Sequence, residues 1–235
     1  MRSFFVPILA GATFGDRLMA CAGAATGITC TAILSAIMVE SGSNTLLLMG
    51  PIGASAVLIF AVPASPLTQP WPVIGGNMLS ALVGVAVAYL VSSPQLASGL
   101  AVGLAILAMS LLRCLHPPGG AVALTAVIGA PAAIGPDWLF PLIPVGINSL
   151  ILAALGVAYH RVSNHSYPHR SSVVIEANPS PQTELMIHHQ DLDRALAELG
   201  ETFDIGRDDL EMLLDKVRHY AAIRIEGDAP SSISR

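Results

Sequence analysis

The sequence predicts an all-α polytopic membrane protein: a transmembrane helical bundle of two three-segment repeats with short half-helices started by Pro and Gly, plus a small soluble helical tail. The first observation is composition, since 53% of the 235 residues are apolar and 11% are charged, against about 25% charged in ordinary domains. The second is that Leu18–Tyr159 contains only three residues of the Asp, Glu, Lys and Arg types, namely Glu40, Arg113 and Asp137. The third is that the two halves of this region resemble each other. Such a region requires lipid around it.

Charge is distributed unevenly and excludes several classes of function. Residues 1–170 carry five Arg and three acidic residues, a net charge of +2, whereas residues 171–235 carry six basic and thirteen acidic residues, a net charge of −7. There is no basic run interleaved with aromatic residues, so we expect no nucleic-acid partner. The three cysteines lack the spacing of zinc or redox motifs, and no carboxylate pair or Ser-His-Asp order is visible. We therefore expect no metal, no cofactor and no catalytic residues.

Long and short apolar segments alternate in the first half. Residues 1–17, whose apolar run is broken by Pro7 and Gly11, are predicted to be an interfacial segment before a transmembrane domain at residues 18–160. A stretch of 22 residues can cross the roughly 30 Å of a hydrocarbon core. Leu18–Val39 has this length, and Val73–Val91 is also of span length. Between them lies a shorter segment, Leu46–Val62, which Gly and Pro interrupt at 50–53.

The second half has the same order of segments. Its middle segment has about ten apolar residues after Pro118-Gly119-Gly120, too few to cross a membrane alone. The three segments are Leu96–Leu112, Ala121–Ala130 and Trp138–Tyr159.

Soluble sequence follows the last span. Residues 161–190 are predicted to form a linker, and residues 191–235 a cytoplasmic helical tail. Leucines at helical spacing predict two short amphipathic helices there, one over Asp191–Leu199 and one from about Asp208. Helices this short must pack on each other, on a second copy or on a further domain.

An internal repeat accounts for the shared segment order. The sequence from Pro51 to Val57 recurs 67 residues later from Pro118 to Leu124, and with small shifts Asn77 pairs with Asn148. If the short segments cross fully, there are six spans and the repeats have inverted topology. If they are re-entrant, there are four spans and parallel repeats.

Both alternatives place the two termini on one side of the membrane. Arg17 and Arg161 flank the first and last spans, while the loops near 64–72 and 131–137 contain no Lys or Arg. The positive-inside bias therefore predicts cytoplasmic termini, in a bacterial inner membrane. Arg113 distinguishes the alternatives, because six spans place it inside and four place it outside.

Both short segments have the features of a helix start that faces a ligand. Pro fits the first helical position, Gly allows close approach of the backbone, and small residues follow. Free N–H groups at such starts carry partial positive charge, and irregular backbone survives in a membrane only when buried in protein or lining a wet cavity. Two such starts in matching positions predict an anion site. The alternative is close helix packing through Gly, Ala and Ser.

Ten residues are predicted to bind the substrate. Arg113 would supply positive charge, or else only mark the end of a span. His116 would donate to an anion, carry a proton near neutral pH or only cap a helix break. Interhelical hydrogen bonding is the alternative for the polar uncharged members. The predicted substrate-binding residues are Gly53, Ala54, Ser55, Asn77, Arg113, His116, Gly119, Gly120, Ala121 and Asn148.

Three blocks of this sequence resemble the HPP family of integral membrane proteins. The most specific is Leu112-Arg113-Cys114-Leu115-His116-Pro117-Pro118-Gly119-Gly120-Ala121, which contains the tripeptide that names the family. The others are Gly50–Phe60 and a block with Ser65–Pro70 and Gly75-Gly76-Asn77. The resemblance covers most of residues 17–170. It implies a protein generally described as having four spans and, because plastid and cyanobacterial members are linked to nitrite transport, a small-anion transporter or channel.

Two departures from the family pattern are visible, and the tail raises a further expectation. Pro51-Ile52 stands where Ser-Phe is common, and Trp71-Pro72 where Arg-Asn is common, which removes a cation that would help anion entry. Many bacterial members continue into paired CBS domains after a tail like this one. We therefore expect a truncated or naturally short form that lacks a nucleotide-sensing module.

The function predicted from these features is passage of a small monovalent anion, with nitrite the leading candidate, by a homodimer in the lipid bilayer. If the anion moves with a proton, His116→Ala is expected to flatten the dependence of uptake on pH. The alternative from another class is a membrane sensor or scaffold that couples a ligand-binding transmembrane domain to a cytoplasmic regulatory module of the CBS type. An enzyme with His116 as general base is a third alternative, and no second catalytic group supports it.

Overall fold

The structure is a computed structural model that describes residues 14–38, 48–129, 138–163, 165–170, 189–199 and 205–227. That part of the chain forms eight α-helices and no β-strand, which confirms the predicted all-α class. The chain divides into two compact units, Met1–His169 and Arg170–Arg235. The helices are α1 (Phe14–Met38), α2 (Gly50–Ala61), α3 (Asn77–Leu90), α4 (Pro94–Leu111), α5 (Pro118–Gly129), α6 (Ile147–His160), α7 (His189–Leu199) and α8 (Arg207–Gly227).

Some of the predicted segments lie outside the described residues. These are most of the interfacial segment, most of the linker, and the acidic residues Glu40 and Asp137. Helix α1 begins at Phe14, so the last four residues assigned to the interfacial segment are helical.

Four helical stretches are long and apolar enough to cross a membrane: Phe14–Ile37, Pro72–Leu90, Pro94–Leu111 and Pro141–His160. Two of these extend a regular helix with a π-helical turn, Pro72–Gly76 before α3 and Pro141–Gly146 before α6. Both turns begin at a Pro, which supplies no backbone N–H at a position where none is needed.

The two predicted short segments are separate short helices. Helices α2 and α5 each have 12 residues, or about 18 Å at 1.5 Å per residue, against a hydrocarbon core of about 30 Å. Helix α2 begins at Gly50 with Pro51 as its second residue, and α5 begins at Pro118. Each half of the unit therefore contains a long helix, a 12-residue helix and a π-helical turn leading into a 14-residue helix. A repeat relationship between the halves stays a prediction.

Contacts between helix ends show that the six helices of the first unit run alternately up and down. The Tyr159 hydroxyl donates to the Met19 carbonyl, which places the end of α6 beside the start of α1. His160 Nε2 contacts the Ile59 carbonyl near the end of α2. Trp71 Nε1 donates to the Leu112 carbonyl, so the turn leading into α3 lies beside the end of α4. These five helix ends lie at one end of the bundle, as does the start of α5, which follows α4 closely.

Glycines allow the helices to approach one another. A β-carbon at Gly23 or Gly27 of α1 would lie 2.6 Å from the ring of Phe60, so both glycines make room for that ring. A β-carbon at Gly84 of α3 would lie 2.5 Å from the carbonyl oxygen of Ala123 in α5. Close approach through small residues is the usual way in which membrane helices associate, since lipid tails provide no hydrophobic driving force between them.

The second unit contains α7 and α8. Arg207 at the start of α8 contacts Asp193 of α7 at 2.6 Å and Glu211 one turn further along α8 at 3.1 Å. The hydrogen bonds to Asp193 and then to Glu211 raise the pKa of Arg207 above its usual value. This exposed ion pair links the two helices of the tail.

Candidate functional site

A cluster of buried polar side chains lies where α2, the start of α3, the start of α6 and the segment before α5 meet. Its members are fully shielded from solvent and are surrounded by apolar helices: Ser55, Asn77, His116 and Ser149. Burying a polar group in a membrane protein costs free energy unless the group is hydrogen-bonded. Polar residues kept in such positions often serve a function. Three of the four are among the ten residues predicted from the sequence.

The hydrogen bonds of the cluster have a definite direction. His116 Nδ1 lies 2.9 Å from the Leu67 carbonyl, and a carbonyl only accepts, so Nδ1 carries the proton. In the uncharged ring Nε2 is then an acceptor, and Ser55 Oγ lies 2.9 Å from it. The Pro51 carbonyl is a more distant acceptor for the same hydroxyl, at 3.2 Å. Ser55 therefore donates its single proton to His116.

This direction fixes the orientation of the Asn77 amide. Because the Ser55 proton is used, Ser55 Oγ must accept from Asn77, and the Nδ2 group lies 3.3 Å away. The second Nδ2 proton is directed to Ser149 Oγ at 3.1 Å. Asn77 Oδ1 is left buried, with no hydrogen-bond partner among the described residues. A buried amide oxygen without a partner needs an explanation, and a water or a bound solute at this position would provide one.

The start of α5 is already hydrogen-bonded. The Gly119 N–H donates to the His116 carbonyl at 2.8 Å, and the Gly120 N–H donates to the Pro117 carbonyl at 3.1 Å. A β-carbon at Gly119 would lie 2.6 Å from Ser80 Oγ and 2.9 Å from the Met109 sulfur, so this glycine serves close packing. The sequence predicted that N–H groups near Gly119 to Ala121 face an anion. For Gly119 and Gly120 the structure shows otherwise, because their N–H groups are occupied locally.

The other predicted site residues lie around the cluster or point away from it. Gly53 is half-buried, and a β-carbon there would meet no atom within 4 Å. Ala54 and Ala121 are exposed on the outer faces of α2 and α5. Asn148 is fully buried beside Ser149, and its side-chain oxygen accepts from Ser35 of α1.

Arg113 is exposed, and the structure does not bring it to the cluster. Its φ of 52° places it in the left-handed region. The Arg113 N–H donates to the Ser110 carbonyl and the Cys114 N–H to the Met109 carbonyl, at 3.2 and 2.9 Å. These two bonds form a Schellman motif with Arg113 in the position that Gly usually occupies. Arg113 thus ends α4 and turns the chain toward His116.

Comparison with known proteins agrees with this architecture. The family model for the HPP transmembrane region matches residues 10–168. The chain belongs to the HPP transmembrane family. This confirms the family resemblance seen in the sequence.

Curated relatives of this HPP chain include two transmembrane proteins of Dictyostelium discoideum. One is 41% identical over 117 residues, which cover 48% of this chain and 38% of the relative. The other is 40% identical over 129 residues, which cover 52% of this chain and 44% of the relative. The chain thus spans less than half the length of these curated relatives. No solved structure gives a significant match.

One member of the HPP polar cluster, Ser149, and one backbone group that contacts it, the Leu67 carbonyl, were missed in the sequence. Ser149 lies next to the predicted Asn148, and one of the pair faces Asn77 while the other faces α1. The Leu67 carbonyl orients His116 but belongs to a backbone turn, which no side-chain pattern reveals. The adjacent polar pair Asn148-Ser149 was the available signal for Ser149.

A strap after α6 contacts the same turn that holds His116. The hydroxyl of the buried Tyr167 donates to the Thr68 carbonyl at 2.9 Å, and the His169 N–H donates to the Gln69 side-chain oxygen at 2.8 Å. Burial raises the pKa of the Tyr167 phenol, so it stays a donor. Residues 165–169, which were predicted to belong to the linker, thus pack on the HPP region. We call residues 165–169 the strap.

Proposed function

We propose that this HPP protein passes a small monovalent anion across the membrane, with nitrite the leading candidate. The observation that carries the proposal is the buried chain of hydrogen bonds from Leu67 through His116, Ser55 and Asn77 to Ser149. Within this chain the amide oxygen of Asn77 has no partner among the described residues. Buried polar groups and discontinuous helices inside a membrane bundle are characteristic of substrate pathways. Ser55 of the cluster lies in the short helix α2, and His116 lies two residues before the short helix α5.

In this proposal each residue of the cluster has a role in holding the solute. Asn77 provides the open polar atom, and Ser55 and Ser149 orient its amide. His116 fixes the direction of the chain and is a positioning residue. Arg113, exposed at the end of α4, is left out of the pathway.

Membrane orientation is part of the proposal. Arg17 in the first turn of α1, Arg113 after α4 and Arg161 after α6 all lie at one end of the up-and-down bundle. The positive-inside bias favours the cytoplasmic face for this end. The proposed location is a bacterial inner membrane with both termini in the cytoplasm, and the proposed assembly is a homodimer.

The experiment is solute flux in proteoliposomes. Purified protein is reconstituted, and uptake of nitrite, nitrate, formate, chloride and bicarbonate is compared with protein-free vesicles of the same lipid. Protein-dependent nitrite uptake is the expected result. Absence of protein-dependent uptake of all five solutes would contradict the proposal.

A sensor that couples the membrane domain to a cytoplasmic regulatory module is the second candidate. It is favoured by the strap, because the turn that accepts a hydrogen bond from His116 at Leu67 accepts another from Tyr167 at Thr68. A solute at the cluster would shift this turn and so the segment leading to the tail. Nitrite-dependent change in the labelling rate of a cysteine at the strap (His169→Cys), without nitrite flux, would favour the sensor. Flux without such a change would favour transport.

A further inference from the structure

We infer that the species bound at Asn77 is a hydrogen-bond donor, namely the uncharged conjugate acid of a small oxyacid rather than its anion. This inference rests on the proposed function and names the chemical form that the site holds. In this form the proton and the anion cross together and separate again in the water on the far side. Net movement is one proton and one anion, and no net charge is transferred.

The first argument is the identity of the open atom. The Leu67 carbonyl sets the His116 tautomer, His116 takes the Ser55 proton, and Ser55 then requires the Nδ2 side of Asn77. Both Nδ2 protons have partners, at Ser55 and Ser149. The atom that remains is Oδ1, fully buried and without a partner in the described part of the chain. An amide oxygen accepts and cannot donate, so it binds the O–H of an acid and repels the oxygen of an anion.

The second argument is the lack of positive charge around this atom. The described elements packed on the cluster, residues 48–61, 66–90 and 141–160, contain no Asp, Glu, Lys or Arg. His116 is the titratable side chain in the chain of hydrogen bonds, and it meets Asn77 through Ser55. Cys114 is buried nearby against α4, and Arg113 is exposed. An anion buried here would lack the paired charge that buried ions need.

The third argument is the closed start of α5. Gly119 and Gly120 donate their N–H groups to His116 and Pro117 within the same turn. The donors that would stabilise an anion at a helix start are therefore in use. The N–H groups of Gly119 and Gly120 are occupied while Asn77 Oδ1 has no partner in the described part of the chain, which favours a proton-carrying solute.

The inference distinguishes solutes by acidity. Nitrite and formate have an uncharged acid form whose concentration rises about tenfold for each unit by which pH falls toward the pKa of the acid. Nitrate and chloride are conjugate bases of strong acids and have no such form in neutral water. A site for the acid form therefore admits the first pair and excludes the second.

The experiment measures initial uptake of these four solutes into proteoliposomes at several external pH values, with the membrane potential clamped by potassium and valinomycin. Protein-free vesicles measure the leak of the free acids through lipid and are subtracted. We expect uptake of nitrite and formate to rise about tenfold per pH unit, to be independent of membrane potential, and to exceed uptake of nitrate and chloride by at least about tenfold. Asn77→Leu is expected to lower nitrite uptake about tenfold, and Arg113→Ala to leave it unchanged.

The outcomes distinguish a failure of this inference from a failure of the proposed function on which it rests. Uptake of nitrate or chloride comparable to nitrite, or uptake driven by membrane potential, would overturn the inference and leave anion transport standing. If Asn77→Leu leaves nitrite uptake unchanged, Oδ1 holds only a structural water, and the inference is also overturned. No protein-dependent uptake of any solute would contradict the proposed function itself. The wild-type selectivity tests the inference even if Asn77→Leu does not fold.

Discussion

Ser55 and His116 are 61 positions apart in the chain, and Oγ of the serine lies 2.9 Å from Nε2 of the histidine. The contact joins the short helix α2 to the segment that leads into the other short helix, α5. It also determines the direction of the neighbouring hydrogen bonds, since His116 uses its only proton on the Leu67 carbonyl. The chemistry available to a solute at Asn77 therefore depends on the Leu67 carbonyl, from which two residues, Ser55 and His116, separate it in the hydrogen-bond chain.

Replacing His116 by Gln and by Asn separates its two contacts. A Gln side-chain oxygen reaches the position of Nε2 and accepts from Ser55, whereas an Asn amide reaches only the position of Nδ1 and contacts Leu67. We expect His116→Gln to retain most of the nitrite uptake and His116→Asn to lower it about tenfold, since one oriented hydrogen bond is worth about 1 kcal/mol or more in a buried site. In both variants the dependence of uptake on pH keeps its slope, because the proton belongs to the solute. Equal uptake by the two variants, or a flattened pH dependence, would contradict this role.

The close contact between α3 and α5 makes Gly84 sensitive to any side chain. A β-carbon there would lie 2.5 Å from the Ala123 carbonyl oxygen, which is backbone and cannot move away cheaply. Gly84→Ala is expected to destabilise the protein by about 1–3 kcal/mol. Gly103→Ala is the matched control, because a β-carbon at Gly103 meets no atom within 4 Å and Ala is the better helix former. Thermal unfolding in detergent should show a lower midpoint for Gly84→Ala alone, and equal midpoints would refute the contact.

Arg113 carries a backbone cost that glycine would remove. Its φ of 52° is unfavourable for any residue with a β-carbon. Arg113→Gly is therefore expected to raise the stability by about 1 kcal/mol relative to Arg113→Ala, which removes the same charge but keeps the β-carbon. The difference is measured as a shift of the unfolding midpoint in detergent. A glycine variant no more stable than the alanine variant would show that the left-handed turn is not present in the folded protein.

The membrane side of Arg113 tests the up-and-down arrangement. Single cysteines are placed by Arg113→Cys, Arg161→Cys and Ser93→Cys in a chain whose three native cysteines are replaced by Ala. In intact cells an impermeant thiol reagent is expected to label only the cysteine at 93, since the other two lie at the opposite end of the bundle with Trp71. Labelling at 113 without permeabilisation would instead support four spans with re-entrant short helices.

Composition and spacing were sufficient to predict the architecture of the first unit. Four span-length segments and two short segments were predicted from hydropathy and the positions of Pro and Gly. The short segments were predicted at Leu46–Val62 and Ala121–Ala130, whereas the short helices are Gly50–Ala61 and Pro118–Gly129. These signals are local, because a bilayer selects apolar length and a Pro fixes where a helix starts. The start of α1 was placed too late, since polar residues in the first turn of a membrane helix resemble an interfacial segment.

The interior of the site was predicted only in part. Ser55, Asn77 and His116 were singled out as polar residues in apolar surroundings, and they do meet. Arg113 was chosen as the isolated cation, but its place is set by a Schellman turn that depends on hydrogen bonds between backbone groups. The occupied N–H groups of Gly119 and Gly120 have the same origin. Sequence patterns show which side chains are unusual, whereas the balance of donors and acceptors depends on backbone geometry that they do not encode.

The most direct test of the central claim compares two serine variants in nitrite uptake by proteoliposomes. Ser55→Ala breaks the buried chain of hydrogen bonds between His116 and Asn77. Ser110→Ala removes an exposed hydroxyl that only donates to the Ile106 carbonyl of its own helix. We expect uptake by Ser55→Ala to fall at least about tenfold and uptake by Ser110→Ala to equal that of the wild type. Equal uptake by both variants at equal amounts of folded protein would contradict the claim that solute passes through the buried polar cluster.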